Sequence, residues 1–370
     1  GTISQSGALL VSGTTSLTAS GAITLTQAAN DFSGAVTVTA AALTLQDANA
    51  LLLSGTTTGT TSLIAGGALS LGSLTVGSSG SPANLSLNAG GAISQLDGST
   101  LVVTGTTSLS AGTSSQAPAD ITLANNGNNF SGAVSVTRVR NLSLRDNNQL
   151  ELGSINVSGD LVLSSAGDLS QSVPQGNSAG ATVLVRGRAS FTVGSGSTSA
   201  ALTLVNSGNT MSGAVSINAT GAVSISTANA LLLSDLNSGA ALVLSSGGAI
   251  SSTGALTVGG STALTAGAGI SLKDSANRFD GAVNIGGATA LTLRSSGALH
   301  LGGNITGATS LTSGGTLTLA SLTVGGALSL SSSAGLSQSG ALRVSGESAL
   351  VASGAISLTK PRTTFPGGLA

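Results

Sequence analysis

Apolar and polar positions alternate along nearly the whole chain in short runs set between Gly, Ala, Ser and Asn. Leu43-Thr44-Leu45, Leu85-Ser86-Leu87, Leu142-Ser143-Leu144, Leu202-Thr203-Leu204, Leu291-Thr292-Leu293 and Leu328-Ser329-Leu330 are examples. A period of two is the strand period, because successive side chains leave a strand on opposite faces. There are about forty such runs and no capped helical period, so the expected class is all-β.

A longer order lies over the alternation. A Ser-Gln step recurs at Ile3-Ser4-Gln5, Ile93-Ser94-Gln95, Leu169-Ser170-Gln171 and Leu336-Ser337-Gln338, with the variant Ile250-Ser251-Ser252. Successive serines of this step lie 90, 76, 81 and 86 residues apart. Downstream comes an Asn-x-Phe-Ser-Gly-Ala-Val landmark at Asn30 to Val36 and Asn128 to Val134. Asn209 to Val215 repeats it with Met211 in the aromatic slot, and Asn277 to Val283 with Asp280 in the Ser slot. These landmarks divide the chain into modules 1–91, 92–168, 169–248, 249–335 and a shorter 336–370, whose Phe365 falls in the aromatic slot. The pattern is already under way at the first residue and breaks off in the last module, so the chain reads as an excerpt of a longer array.

Modules of this size suit either tandem β-sandwiches or one continuous β-solenoid. A sandwich has a nearly fixed set of longer strands and large aromatics in its core. A solenoid tolerates variable module length, because a corner can lengthen without disturbing the stack. Module lengths vary here and only 1 % of residues are aromatic. The expectation is a right-handed parallel β-helix over residues 1–370 with roughly three short strands per coil, hence about fourteen coils. Leu, Val and Ile face inward, Ser and Thr outward, and Gly occupies corners. The recurring Phe32, Phe130, Met211, Phe279 and Phe365 read as core or corner plugs rather than a periodic groove, and the preceding Asn as a turn cap or a member of an Asn ladder.

Composition narrows the functions. Charged residues make up 6 % of the 370, against ~25 % in ordinary soluble domains. The 40 % apolar content argues against disorder, while the short aliphatic runs argue against a transmembrane helix. A net charge of −1 with few aromatics argues against a nucleic-acid partner. The absence of Cys removes thiol chemistry. His300, the only histidine, faces outward in Leu299-His300-Leu301 and reads as a surface residue. Acidic residues are scattered, with loose neighbours such as Asp146 and Glu151. The sequence therefore offers no catalytic, cofactor or metal set, and an enzyme is not expected. The N-x-Ser/Thr triplets at Asn84, Asn129, Asn141, Asn156, Asn218 and Asn304 are those a Ser/Thr-rich chain produces by chance.

One cluster of charge remains. Arg138 and Arg140, and again Arg186 and Arg188, are spaced two apart, so each pair would share one strand face. Stacked, they would form a basic stripe for an anionic glycan. The alternative is a solvated face neutralised by Asp146, Glu151, Asp160 and Asp168.

Runs such as Gly66-Gly67-Ala68-Leu69-Ser70-Leu71, Gly90-Gly91-Ala92-Ile93-Ser94-Gln95 and Gly105-Thr106-Thr107-Ser108-Leu109-Ser110-Ala111-Gly112 resemble the repeats of filamentous-haemagglutinin-type exoproteins. The resemblance implies a large adhesin on the surface of a Gram-negative bacterium, secreted through a partner outer-membrane transporter. It implies roles in attachment to host cells, to other bacteria or to biofilm matrix. Partners would be host or matrix glycans and proteins, and open strand edges would support end-to-end or lateral self-association. The alternative is that the rod face itself binds carbohydrate or other copies, ice binding being a minor variant for which Thr24/Thr26 and Thr37/Thr39 provide few Thr-x-Thr pairs.

Overall fold

The alternating runs become parallel strands because a short strand with one apolar face is unstable alone and must stack on a copy of itself. The computed structural model describes residues 1–172, 180–361 and 363–368, and among these every regular element is a β-strand. The chain forms two compact units, Gly1–Ser195 and Gly196–Ala370, the boundary falling inside the third module.

In the first unit two parallel ladders run through successive turns. The first joins Ile3, Ile23, Leu43, Thr61, Leu85, Thr107 and Val134 in register. The second joins Thr15, Val36, Leu53, Leu71 and Gln95. A small third sheet pairs Leu10–Val11 with Asp31–Phe32. The second unit repeats the design. One ladder runs Leu202, Val223, Leu242, Thr262, Val283, Leu301, Leu319, and another runs Ile250, Ile270, Leu291, Thr309, Leu328, Ser348.

Each unit is thus a parallel β-solenoid, and the described residues make about 17 turns of two to three strands. That exceeds the fourteen expected, because many turns do not use three separate strands. Long strands such as Leu69–Val76 and Leu317–Val324 span two faces by bending in the middle. Leu69–Val76 shows a register shift between Leu71 and Leu74 where it bends. Two such bends need glycine. Gly55 has φ of 138°, and a Cβ there would lie 1.9 Å from the Val38 carbonyl oxygen. Gly303 has φ of 129° with Ile285 O at 2.2 Å from the same imagined atom.

The inward residues form a dry column of Leu, Val and Ile, among them Leu43, Leu63, Leu87 and Leu109 in the first unit and Leu244, Leu264 and Ile285 in the second, all essentially inaccessible. Burying each such side chain contributes about 2 kcal/mol. Outward slots carry hydroxyls in register: Thr24, Thr44, Ser62, Ser86, Ser108 and Ser135 on one ladder, and Thr18, Thr39, Thr56 and Thr75 on the other.

The landmarks reveal how the module meshes with the turn. In the first unit Phe32 leads into Val36–Ala40, on the second ladder, whereas Phe130 leads into Val134–Arg138, on the first. In the second unit Met211 leads into Val215–Ala219, which stacks on Leu231–Ser238, while Phe279 leads into Val283–Ala288, on the opposite ladder. Within each unit, then, one module advances the chain by an odd number of half-turns.

Candidate functional site

The repeat landmarks converge on a buried polar cassette. Asn128 is fully buried, and its amide exchanges two hydrogen bonds with the Gln95 amide of the preceding turn, both at 2.7 Å. Asn128 Nδ2 also donates to Leu123 O at 3.0 Å, and its Oδ1 accepts from Leu101 N at 3.0 Å. Gln5 and Asn30 make the same reciprocal pair at 2.7 and 2.9 Å, with Leu9 N and Leu25 O as the further partners. The Asn therefore closes its own turn and ties it to the turn beneath, where the sequence suggested only a cap or an Asn ladder. Side-chain amides suit this task because one group offers both donors and an acceptor.

The aromatic slot sits beside it. Phe32, Phe130, Met211 and Phe279 are all buried, which places the plugs in the core; Phe365 is half-buried. Phe32 N donates to Asp47 Oδ2 and Phe130 N to Asp146 Oδ2, each at 2.8 Å. The second carboxylate oxygen accepts from Asn49 N at 2.7 Å or Asn148 N at 2.8 Å. Both aspartates are only 1 % exposed. Burial pushes the Asp146 carboxyl up to about 6, against the pull of those two backbone N–H groups. Sequence reasoning placed Asp146 on a solvated face; the structure corrects this. Parity was the available signal, since Leu142, Leu144 and Asp146 alternate on one strand face, as do Leu43, Leu45 and Asp47.

The arginines are also rearranged. Arg138 ends the strand Val134–Arg138, and its guanidinium reaches Asn88 Oδ1 at 3.3 Å and Ala111 O at 3.4 Å. Arg140, Arg186 and Arg188 are exposed and lie in turns, not on strands. The shared-face expectation fails because the register slips at the end of Val134–Arg138 and Val139 turns into the core. The turns nevertheless stack, since Ile121, Leu142, Leu161 and Ala189 follow one another in register. Asp120, Asn141, Asp160 and Arg188, each one residue earlier, therefore form a corner column. Within it Asp120 Oδ1 accepts from Asn141 N at 3.1 Å, Asn141 Oδ1 from Asp160 N at 2.9 Å, and Asp160 Oδ1 from Arg188 N at 2.8 Å.

Arg140 is held by Asp120 in a two-pronged pair at 2.6 and 2.8 Å. The arginine hydrogen bond lowers the Asp120 carboxyl below its usual range. Three of the four arginines thus share one corner, two of them without an ion pair among the described residues. This corner is built mainly by backbone capping, with the charge as its outer layer.

His300 is exposed on Leu299–Ile305, with Nε2 3.3 Å from Ser339 Oγ. Among the described residues no group of three or more His, Asp and Glu side chains is arranged to hold a metal ion. The Asn141 amide is engaged in the corner column, whereas Asn156, Asn218 and Asn304 point outward.

Taken together, the parallel stack and its buried repeating cassette define a structural protein of the repeat β-solenoid class. The chain belongs to the family described as repeats of unknown function, DUF5649, whose model matches residues 1–39, 70–137, 139–218, 220–286 and 306–370. Each matched segment ends shortly after an aromatic slot and contains both the Ser-Gln step, or its Ser252 variant, and the residue that faces it. No curated protein and no solved structure matches the chain.

Proposed function

We propose that the chain is part of the shaft of a large adhesin on the outside of a Gram-negative bacterial cell, exported through an outer-membrane transporter, that holds a binding tip away from the surface. The observation that carries this reading is where the repeat places its recurrent chemistry. Gln, Asn and the aromatic all point inward, where they pin one turn to the next. Outward slots vary among Thr, Ser, Asn, Arg and His. Repetition that serves the stack rather than the surface suits an element whose product is length. The resemblance to filamentous-haemagglutinin-type repeats supports the location and export route.

Two measurements test the reading. Antibody raised against the chain is expected to label intact, unpermeabilised producing cells; label confined to permeabilised cells overturns it. In the parent protein, removal of residues 92–248 is expected to shorten reach while the tip keeps its affinity. Loss of tip affinity together with unchanged reach overturns the shaft.

A further inference from the structure

Outward slots of a repeat carry no packing constraint, so one module's departures from its siblings scatter unless something outside the core gathers them. In the fourth module three of them gather. The slot before the aromatic holds Asp31, Asn129 and Thr210 elsewhere, but Arg278 here. The slot after it holds Ser33, Ser131 and Ser212 elsewhere, but Asp280 here. The outward slot of the second aliphatic triplet downstream of the landmark holds Leu52, Glu151 and Leu232 elsewhere, but His300 here. Arg278, Asp280 and His300 together line one open recess of about 510 Å³ in the second unit, with Gly297, Thr316 and Thr318. In a chain with 6 % charged residues, that convergence is not a by-product of composition.

The recess has the features of a binding site. Arg278 Nε donates to Asp280 Oδ1 at 2.6 Å, which fixes the guanidinium, while its terminal nitrogens have no hydrogen bond among the described residues. A guanidinium edge presents two parallel N–H donors that match a carboxylate. Asp280, His300 and Thr318 supply the mixed donors and acceptors that sugar hydroxyls require. The floor is kept open by Gly297, where an added Cβ would meet nothing within 4 Å and the backbone is not left-handed. On the next turn, by contrast, a Cβ at Gly314 would lie 2.0 Å from Ser296 O and one at Gly315 2.8 Å from Ala298 N. Those two glycines are demanded by the stack; Gly297 is not.

We propose that this recess binds a carboxylated saccharide, with a hexuronate residue as the class it fits, Arg278 taking the carboxylate and Asp280, His300 and Thr318 the hydroxyls. The site is independent of whether the solenoid acts as a shaft.

His300 is the only histidine, so histidine-selective isotope labelling gives one imidazole signal, from a side chain that lines the recess. Titration of the whole chain with tetragalacturonate is expected to shift that signal saturably, and an uncharged tetrasaccharide of equal size to leave it in place. R278Q should weaken the titration roughly tenfold. G297Q, which puts a side chain into open space, should abolish it with the thermal midpoint unchanged. R294Q, an exposed arginine of the same unit outside the recess, should titrate like the unmodified chain. No saturable shift, an equal shift with the neutral sugar, an unaltered R278Q titration, or equal weakening by R294Q would each overturn the proposal.

Discussion

The same cassette is built differently in the two units, and the contrast separates what the stack requires from what it tolerates. In the first unit Gln95 and Asn128 satisfy one another, Asn128 also binds Leu101 N and Leu123 O, and Asp146 binds the backbone N–H groups of Phe130 and Asn148. In the second, the strand that corresponds to Leu142–Asp146 is Leu291–Ser295, and the step that corresponds to Ile93–Gln95 is Ile250–Ser252. Asn277 still binds Leu256 N at 2.8 Å and Leu272 O at 3.2 Å. The Ser252 and Ser295 hydroxyls, however, are buried without a hydrogen-bond partner among the described residues. The Asn is the member common to the Gln95 and Ser252 versions, tying one backbone N–H to one backbone carbonyl in both; the Gln adds to it where present, and the Asp separately joins the backbone N–H groups of Phe130 and Asn148. At Gln338 the opposite economy is seen, with Thr363 in the Asn slot accepting from Gln338 Nε2 at 2.9 Å.

The largest effect that tests this contrast is removal of the central amide. Asn128→Ala leaves Gln95, Leu101 N and Leu123 O unpaired in a buried site, and the expected loss is about 3 kcal/mol in the first unit. Asn277→Ala strands fewer groups and is expected to cost about 2 kcal/mol in the second. Amide hydrogen exchange on the strands around each site measures the two losses separately, and equal losses would dissolve the distinction between complete and partial cassettes.

The next effect is in pH. The folded Asp146 carboxyl titrates at about 6 against an ordinary value of 3.8, so the folded state holds its proton more tightly than the unfolded chain does. Its contribution to stability is therefore full below pH 3.8, is lost as pH rises through about 6, and is flat above that. The loss amounts to roughly 3 kcal/mol. Asp146→Ser, which imports the second unit's solution, removes the titrating group, so the stability of the unmodified chain relative to the variant, from unfolding midpoints measured from pH 4 to 8, should fall as pH rises. A difference that instead grows as pH rises would reverse the assignment.

Smaller still is the gain from restoring the missing amide. Ser252→Gln should stabilise the second unit by about 1 kcal/mol by giving Asn277 the partner that Asn128 has. Urea unfolding of the variant measures it, and destabilisation would show that the second unit has repacked around serine. Arg140→Ala, which removes an exposed ion pair, is expected to leave the thermal midpoint unchanged.

Much of this fold was legible in the alternation of Leu-x-Leu runs, because a period of two with small residues between the runs admits little but stacked short strands. The Ser-Gln and Asn-x-Phe landmarks were legible as a repeat but not as a contact. Gln95 and Asn128 are 33 residues apart, and only the length of the intervening turn brings them together. Asp47 and Asp146 were hidden for a different reason. A carboxylate in a nearly uncharged chain reads as surface, and only the parity of its strand shows that it faces inward. The arginine pairs were misread through the same rule applied too far, since a period of two holds only while the strand lasts: Val134–Arg138 ends before Arg140, and Val183–Val185 ends before both Arg186 and Arg188. The recess at His300 required three slots from two turns to be superposed, which no single stretch of sequence displays.

Because a module advances by an odd number of half-turns, the solenoid has a parity. Within a unit, like slots of neighbouring modules look to opposite sides, and those of alternate modules look to the same side. Copy number then becomes a directional variable. Recombination that drops a single repeat reverses the azimuth of everything stacked beyond it in that unit, whereas loss of a pair is silent apart from length. A lineage can thus turn a surface feature toward or away from a neighbour without changing one residue of the feature itself.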